Sequence, residues 1–164
     1  MPISIIALSA VFAFAQAASE APAVCLRHAV AIAERATSGK VIEAEPQWSQ
    51  GRSIYEVDVI DGSELRRLVI TSTGRIQRNE RLMVRNVWSG VVDREERRAI
   101  ARAGRLSEIL AGLERRSGGR AIEASFEVEG DRPLYEVELM TSIGQTTIYL
   151  DAVSGTQVLH VPDD

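Results

Sequence analysis

Few side chains in this sequence are of the types that carry out catalysis. The 164 residues include one cysteine and two histidines, and Cys25 and His28 stand three positions apart in a predicted helix. A hydrolytic triad needs such a nucleophile and base, together with an orienting carboxylate and donors for the oxyanion. No nearby motif supplies an oxyanion hole. We therefore interpret Cys25 as a small apolar helix residue, in preference to a reactive or lipidated thiol, and His28 as a surface or boundary side chain.

Metal binding is also weakly supported by the sequence. His160 is followed by Asp163 and Asp164, but three ligands near a chain end form a poorly preorganised site. The sequence contains no glycine-rich phosphate loop, no paired-cysteine motif and no His-Glu-x-x-His motif. We predict that the protein is not an enzyme, that it needs no cofactor, and that it has no catalytic, cofactor-binding or metal-binding residues.

Two glutamate positions recur along the chain, Glu43 with Glu123 and Glu56 with Glu136. Paired carboxylates can serve as general acid and base. These glutamates, however, lie in predicted strands in which polar and apolar residues alternate, so their side chains are expected on the outward face of a sheet. We interpret them as outward-facing structural residues.

The recurring glutamates belong to a longer stretch that the chain contains twice. Residues 31–57 align with residues 111–137 without a gap, at a constant offset of 80 positions. Both stretches contain Ile-Glu-Ala followed by Tyr-Glu-Val, whereas chance would give only about two identities in such a window. The repeat predicts a tandem duplication.

Each copy is predicted to be a helix followed by a meander of strands. Residues 23–36 show apolar residues at helical spacing, and Ser38-Gly39 ends the helix. Residues 54–60 alternate as a half-buried antiparallel strand, and Asp61-Gly62 predicts a hairpin. The expected fold class is α+β, with two tandem units, each a helix packed on a three- to four-stranded antiparallel sheet.

The N-terminal segment is predicted to be a signal peptide, spanning residues 1–18. Residues 3–15 are almost wholly apolar, and Ala15-Gln16-Ala17 matches an A-x-A cleavage pattern. The run is short for a bilayer span, and no lysine or arginine precedes it, so a buried N-terminal helix is the alternative. Cleavage after Ala17 or Ala18 would release a periplasmic or secreted product with no stable membrane insertion.

The remaining chain divides into three predicted parts: a first repeat at residues 19–80, a linker with a helix at 81–105, and a second repeat at 106–164. The net charge of −4 and the pI near 5.3 remove the long-range attraction to phosphate on which nonspecific nucleic-acid binding depends. Trp88 in the linker is interpreted as a plug between the repeats. Trp48 and Trp88 are the candidate contacts for a partner or for a groove between the repeats.

Three short motifs together resemble the PepSY domain family. They are Gly-(Lys/Arg)-x-Ile-Glu-Ala, then Tyr-Glu-Val-(Asp/Glu), then Ile-Tyr-Leu-Asp-Ala-x-Ser-Gly. The second copy has the fuller form, in residues 134–138 and 149–155, whereas residues 69–74 of the first copy lack the Asp-Ala pair. The resemblance implies an extracytoplasmic bacterial location, an α+β fold and no catalytic residues. It also implies a regulatory or inhibitory role of the kind proposed for such domains in the propeptides of thermolysin-like peptidases.

Two functions follow as expectations. The favoured one is an exported binding or regulatory module that docks a protein partner, such as a peptidase, through sheet edges or turns. The alternative is a module that senses a small ligand or an envelope signal through a groove between the repeats, near Trp88.

Overall fold

The computed structural model describes residues 24–49, 51–82 and 94–159. These parts contain three helices and eight strands, which we number in chain order. The helices are α1 (Leu26–Thr37), α2 (Arg94–Arg102) and α3 (Leu106–Ser117). The strands are β1 (Lys40–Ser49), β2 (Arg52–Asp61), β3 (Glu64–Thr71), β4 (Ile76–Arg81), β5 (Arg120–Glu129), β6 (Arg132–Thr141), β7 (Gly144–Asp151) and β8 (Gln157–Val158).

All eight strands belong to one antiparallel sheet, in the order β4-β3-β2-β1-β5-β6-β7-β8. The join between the halves is short and consists of the pairs Glu43↔Ser125 and Ala44↔Ala124. The α+β class holds loosely, but the prediction of two tandem units, each a helix on a three- to four-stranded sheet, is wrong. Separate sheets would leave the backbone groups of β1 and β5 unpaired along exposed edges, and pairing the two strands covers both edges where the pairs form.

The pairing registers of the two halves agree at the same offset of 80 positions as the sequence. The β1–β2 ladder begins with Lys40↔Ile60, and the β5–β6 ladder begins with Arg120↔Met140. Each ladder contains one irregularity at the equivalent place, between Val41 and Glu43 and between Ala121 and Glu123. Because a register fixes which side chains share a face, equivalent residues of the halves face the same way.

Helices α1 and α3 lie on one face of the sheet and enclose the core with it. Their inward residues are small or branched, such as Ala29, Val30 and Leu110, all of which are fully buried. The chain leaves both helices through a left-handed residue, Ser38 with φ 59° and Gly118 with φ 68°. That conformation turns the backbone sharply enough to begin the following strand.

The two helices are joined by reciprocal polar contacts. Arg27 Nε donates to Glu114 Oε2 at 2.7 Å. At the equivalent positions of the other half, the Ser107 hydroxyl donates to Glu34 Oε2 at 2.5 Å, and Arg105 lies 3.5 Å from the same oxygen. Glu34 is buried, so these donors satisfy a carboxylate that would otherwise be costly to remove from water.

Helix α2 contacts β1 and β6. Its C-terminal end is fixed by two polar contacts: Arg102 donates to the carbonyl of Asp131 at 3.3 Å, and the Lys40 ammonium donates to the carbonyl of Ala103. In the described part of the chain, no helix is long and apolar enough to cross a membrane. The predicted signal peptide (residues 1–18) and Trp88 lie outside the described residues.

Candidate interaction surface

The sheet face directed away from α1 and α3 carries a band of carboxylates. It arises from simple alternation, because each of these residues neighbours an inward residue such as Ala44, Val57, Ala124 or Val137. We call this set the carboxylate band: Glu43, Glu45, Glu56, Asp58, Glu123, Glu136 and Glu138. The prediction that Glu43, Glu56 and their later counterparts sit on strands therefore leads to one shared surface that extends across both halves.

In the first half, Arg67 on β3 neutralises part of the carboxylate band. Its Nε and Nη2 donate to the two carboxylate oxygens of Asp58, each at 2.7 Å. Its Nη1 also lies 3.1 Å from Glu56 Oε2. This two-pronged geometry matches the planar guanidinium to the planar carboxylate, and it makes strong, directional hydrogen bonds. We call this arrangement the Arg67 clamp.

In the second half, the position of Arg67 is occupied by Thr147, which is exposed. The β6–β7 register pairs Thr147 with Glu138, just as β2–β3 pairs Arg67 with Asp58. Glu138 instead accepts a hydrogen bond from Gln145 Nε2 at 2.6 Å, and Glu136 is hydrogen-bonded to the Tyr149 hydroxyl. Both donors are neutral, and strand β7 contains no lysine or arginine.

The pKa values of two glutamates reflect this difference between the halves. Burial, then Asp58 and Glu45, raise the pKa of Glu43, and Arg67 partly opposes them. Burial, then Glu138, Glu45 and Glu136, raise the pKa of Glu123, and each of these effects acts in the same direction. Negative charge in the second half is thus held close together without a cation among these neighbours.

A small cavity lies where the two halves meet. Its volume is about 220 Å³, and it is lined by Ile42, Glu43, Glu96, Ile100, Ser125 and Phe126. Because Glu43 and Ser125 alternate with the core residues Ala44 and Ala124, α2 borders the carboxylate band here. Binding sites for drug-sized molecules usually enclose roughly 300–1,000 Å³, so this cavity is small for such a ligand.

Of the residues singled out from the sequence, some lie in the described part of the chain and others lie outside it. Trp48, near the end of β1, is 74% exposed, while Trp88 lies outside the described residues, so their shared groove stays a prediction. Cys25 Sγ lies 3.5 Å from His28 Nδ1 at the start of α1. His160 and the aspartates that follow it lie outside the described residues. Among the residues that the structure describes, no group of three or more side chains is placed to hold a metal ion.

Sequence reasoning missed the Arg67 clamp, although a signal for it was present. Asp61-Gly62 marks the β2–β3 hairpin, whose first pair is Asp61↔Glu64. Counting outward from that turn places Arg67 opposite Asp58, where opposite charges stabilise a pair of strands.

Comparisons with known proteins identify the second half. Residues 98–159 match the family model described as the peptidase propeptide and YPEB domain, PepSY. No curated protein matches the chain. A crystal structure of a candidate lipoprotein from Clostridium difficile 630 is similar over 86% of this chain and 94% of that one, with 13% sequence identity and a TM-score of 0.44. The segment 98–159, which begins within α2 and includes α3 and β5–β8, is a PepSY domain.

Proposed function

We propose that this chain is an exported binding and regulatory module that acts by contact with a protein partner, and that the partner class is a peptidase. The observation that carries the proposal is the PepSY domain at residues 98–159, whose family is described by its occurrence in peptidase propeptides. Propeptide-like modules work by covering or positioning another protein, and this function needs a shaped surface instead of a catalytic site.

The chemistry of the described residues supports a module of this kind. On the outer face of the sheet, polar side chains are arranged as ion pairs and hydrogen bonds, as in the Arg67 clamp. The cavity lined by Glu43, Glu96 and Ser125 is small for a drug-sized ligand, so it does not by itself support the small-ligand alternative. We therefore place the contact on the outer surface of the sheet.

We further propose that residues 19–80 are a second, diverged PepSY-like unit, and that residues 81–105 link it to a unit at 106–164. The support for this division is the agreement of strand registers and helix ends at a constant offset. Joining two such units through β1 and β5 roughly doubles the sheet surface that a partner can contact. It also fixes the relative orientation of the two surfaces.

The PepSY domain suggests an extracytoplasmic location for the protein. We propose that residues 1–18 direct export and are removed, which leaves the product in the periplasm or outside the cell. Fractionation of cells that express the full chain with a C-terminal tag tests this. A tagged product found only in the cytoplasm at its full length would contradict the proposal.

The regulatory role is tested with the purified chain and a panel of peptidases, including thermolysin-like enzymes. We expect inhibition or altered maturation of at least one peptidase from the same organism, together with a complex of defined stoichiometry in gel filtration. Activity that is unchanged across the panel, combined with no complex after chemical cross-linking in the cell envelope, would overturn it. A separate assay for intrinsic peptide hydrolysis by the chain alone is expected to show none.

A further inference from the structure

We propose that the second half of the sheet binds an arginine side chain of the partner protein, in the place that Arg67 occupies in the first half. We call this place the open carboxylate site: Glu123, Glu136 and Glu138 around Thr147. The inference deepens the proposed function and rests on it only in taking a protein as the ligand. The acidic residues alone do not carry it; the bound guanidinium of the first half does.

The equivalence of the two places follows from the strand registers. Asp58 pairs with Glu43 on one side and with Arg67 on the other. Eighty positions later, Glu138 pairs with Glu123 on one side and with Thr147 on the other. Carboxylates therefore stand at the same points of the pleated surface in both halves, and the cationic residue is present in only one of them.

The Arg67 clamp shows which ligand such a place holds. All three guanidinium nitrogens are used, two on Asp58 and one toward Glu56. An ammonium group is a compact point charge and cannot make this planar, forked set of contacts. The chemistry that would complete the second half is accordingly a guanidinium, and we assign the partner group as arginine.

The open carboxylate site is accessible to a guanidinium group and carries the negative charge that attracts one. Thr147 and Glu123 are exposed, so the surface above them is accessible to solvent. Gln145 and Tyr149 give hydrogen bonds to Glu138 and Glu136 but bring no positive charge. An incoming guanidinium would relieve the repulsion among the carboxylates as well as forming hydrogen bonds of its own.

The test is a titration of the full chain, followed by amide chemical shifts in NMR. The probe is a capped Gly-Arg-Gly peptide, and the matched control replaces its arginine with citrulline, which has nearly the same shape but no charge. We expect shifts centred on Glu136, Glu138 and Thr147 with the arginine peptide, and at least tenfold weaker binding with the citrulline peptide. Equal binding of the two peptides, or shifts centred elsewhere, would overturn the assignment.

A pair of substitutions on β7 provides the protein-side control. Thr147→Arg places a guanidinium where the first half has one, and we expect it to abolish binding of the arginine peptide. Thr146→Arg adds the same charge at the adjacent exposed position, whose side chain points to the opposite face because strand side chains alternate. It should leave binding within about twofold. Loss of binding in both variants would show a general effect of charge and would overturn the site.

Three further results separate the explanations. Calcium chloride that produces the same shifts at a lower concentration than the peptide would make the place a metal site and overturn the arginine assignment. If the arginine peptide binds but the chain affects no peptidase in the panel, the proposed function is contradicted and this inference is not. If the chain inhibits a peptidase and neither Thr147→Arg nor Glu138→Gln changes that inhibition, this inference is contradicted and the proposed function is not.

Discussion

Tyr135 on β6 donates a hydrogen bond to the backbone carbonyl of Val41 on β1, at 2.9 Å, and so links the two halves across β5. The Tyr135 side chain is fully buried, and burial raises the pKa of its phenol well above the ordinary value. Tyr55, at the equivalent position of the first half, is only half-buried and donates instead to Val24, just before α1. The β1–β5 junction therefore depends on one residue of the pair much more than on the other.

Replacing Tyr135 with phenylalanine should destabilise the protein by about 1–3 kcal/mol, because the substitution takes one hydrogen bond from a buried carbonyl. Urea denaturation measures the change as a lower midpoint with an unchanged slope. Tyr55→Phe is the matched control, and we expect a loss of about 1 kcal/mol or less because water can replace the hydroxyl there. Equal losses in the two variants would show that the junction does not depend on the Tyr135 hydroxyl.

Removing the Arg67 clamp should also be costly, because Asp58 is buried and would lose its cation. For Arg67→Met we expect a decrease of about 1–3 kcal/mol in the free energy of unfolding. Arg81, whose side chain is 63% exposed and lies 3.1 Å from Glu64, provides the control. Arg81→Met should change stability by less than about 1 kcal/mol, as is usual for exposed ion pairs. A loss at Arg67 that is no larger than the loss at Arg81 would contradict the structural role of the clamp.

Burial of Glu123, together with repulsion from Glu138, Glu45 and Glu136, should appear as a dependence of stability on pH. The pKa of Glu123 is raised from 4.5 in the folded state, so the folded protein holds this proton more tightly than the unfolded chain. Stability therefore falls as the pH rises from the unfolded pKa through the raised folded pKa, and the loss is complete at neutral pH. Glu123→Gln removes this loss.

Thermal melts of Glu123→Gln are expected to show a higher Tm than the parent chain at pH 7, with the difference vanishing below roughly pH 4. Added salt should reduce the difference, since these side chains are accessible to solvent. Glu64→Gln is the control at an ion-paired glutamate, because Glu64 lies 3.3 Å from Arg66 and 3.1 Å from Arg81, and it should not raise the Tm at pH 7. An advantage of Glu123→Gln that is the same at every pH would exclude charge repulsion as its cause.

The local structure was largely predictable from the sequence. Residues 23–36 and 54–60 were expected as a helix and a strand, and they correspond to α1 and β2 to within a few residues at each end. Periodicity and turn residues act over a few positions, which is why they reveal such elements. The Asp61-Gly62 hairpin was found for the same reason.

The single sheet was not predictable in the same way, and the prediction of two separate units was wrong. Only two residue pairs join β1 to β5, around Ala44 and Ala124, and each residue by itself is an ordinary inward position of a strand. No local sequence pattern predicts which two strand edges will pair with each other. The open carboxylate site depends on the same long-range register. The recurring glutamates were visible in the sequence. That Thr147 replaces a cationic residue becomes evident only when the strand registers show that its equivalent in the first half is Arg67.

Helices α1 and α3 both end in a residue with a left-handed backbone conformation. Ser38 adopts a left-handed conformation with φ 59°, and Gly118 adopts nearly the same conformation at the equivalent position. A residue with a β-carbon pays roughly 1–2 kcal/mol in this region, while glycine adopts it freely. Ser38→Gly should therefore raise the free energy of unfolding by about 0.5–1 kcal/mol, since the gain is partly offset by the larger entropy of glycine in the unfolded chain.

The reverse change at the equivalent position gives the control. Gly118→Ser should lower stability by about 1 kcal/mol, and the double variant should lie close to the sum of the two changes because the helix ends are independent sites. Both values come from chemical denaturation followed by circular dichroism. A Ser38→Gly protein that is less stable than the parent would mean that the serine side chain makes a contribution larger than its backbone strain. In that event the helix ends of the two halves would be equivalent in shape but not in energy.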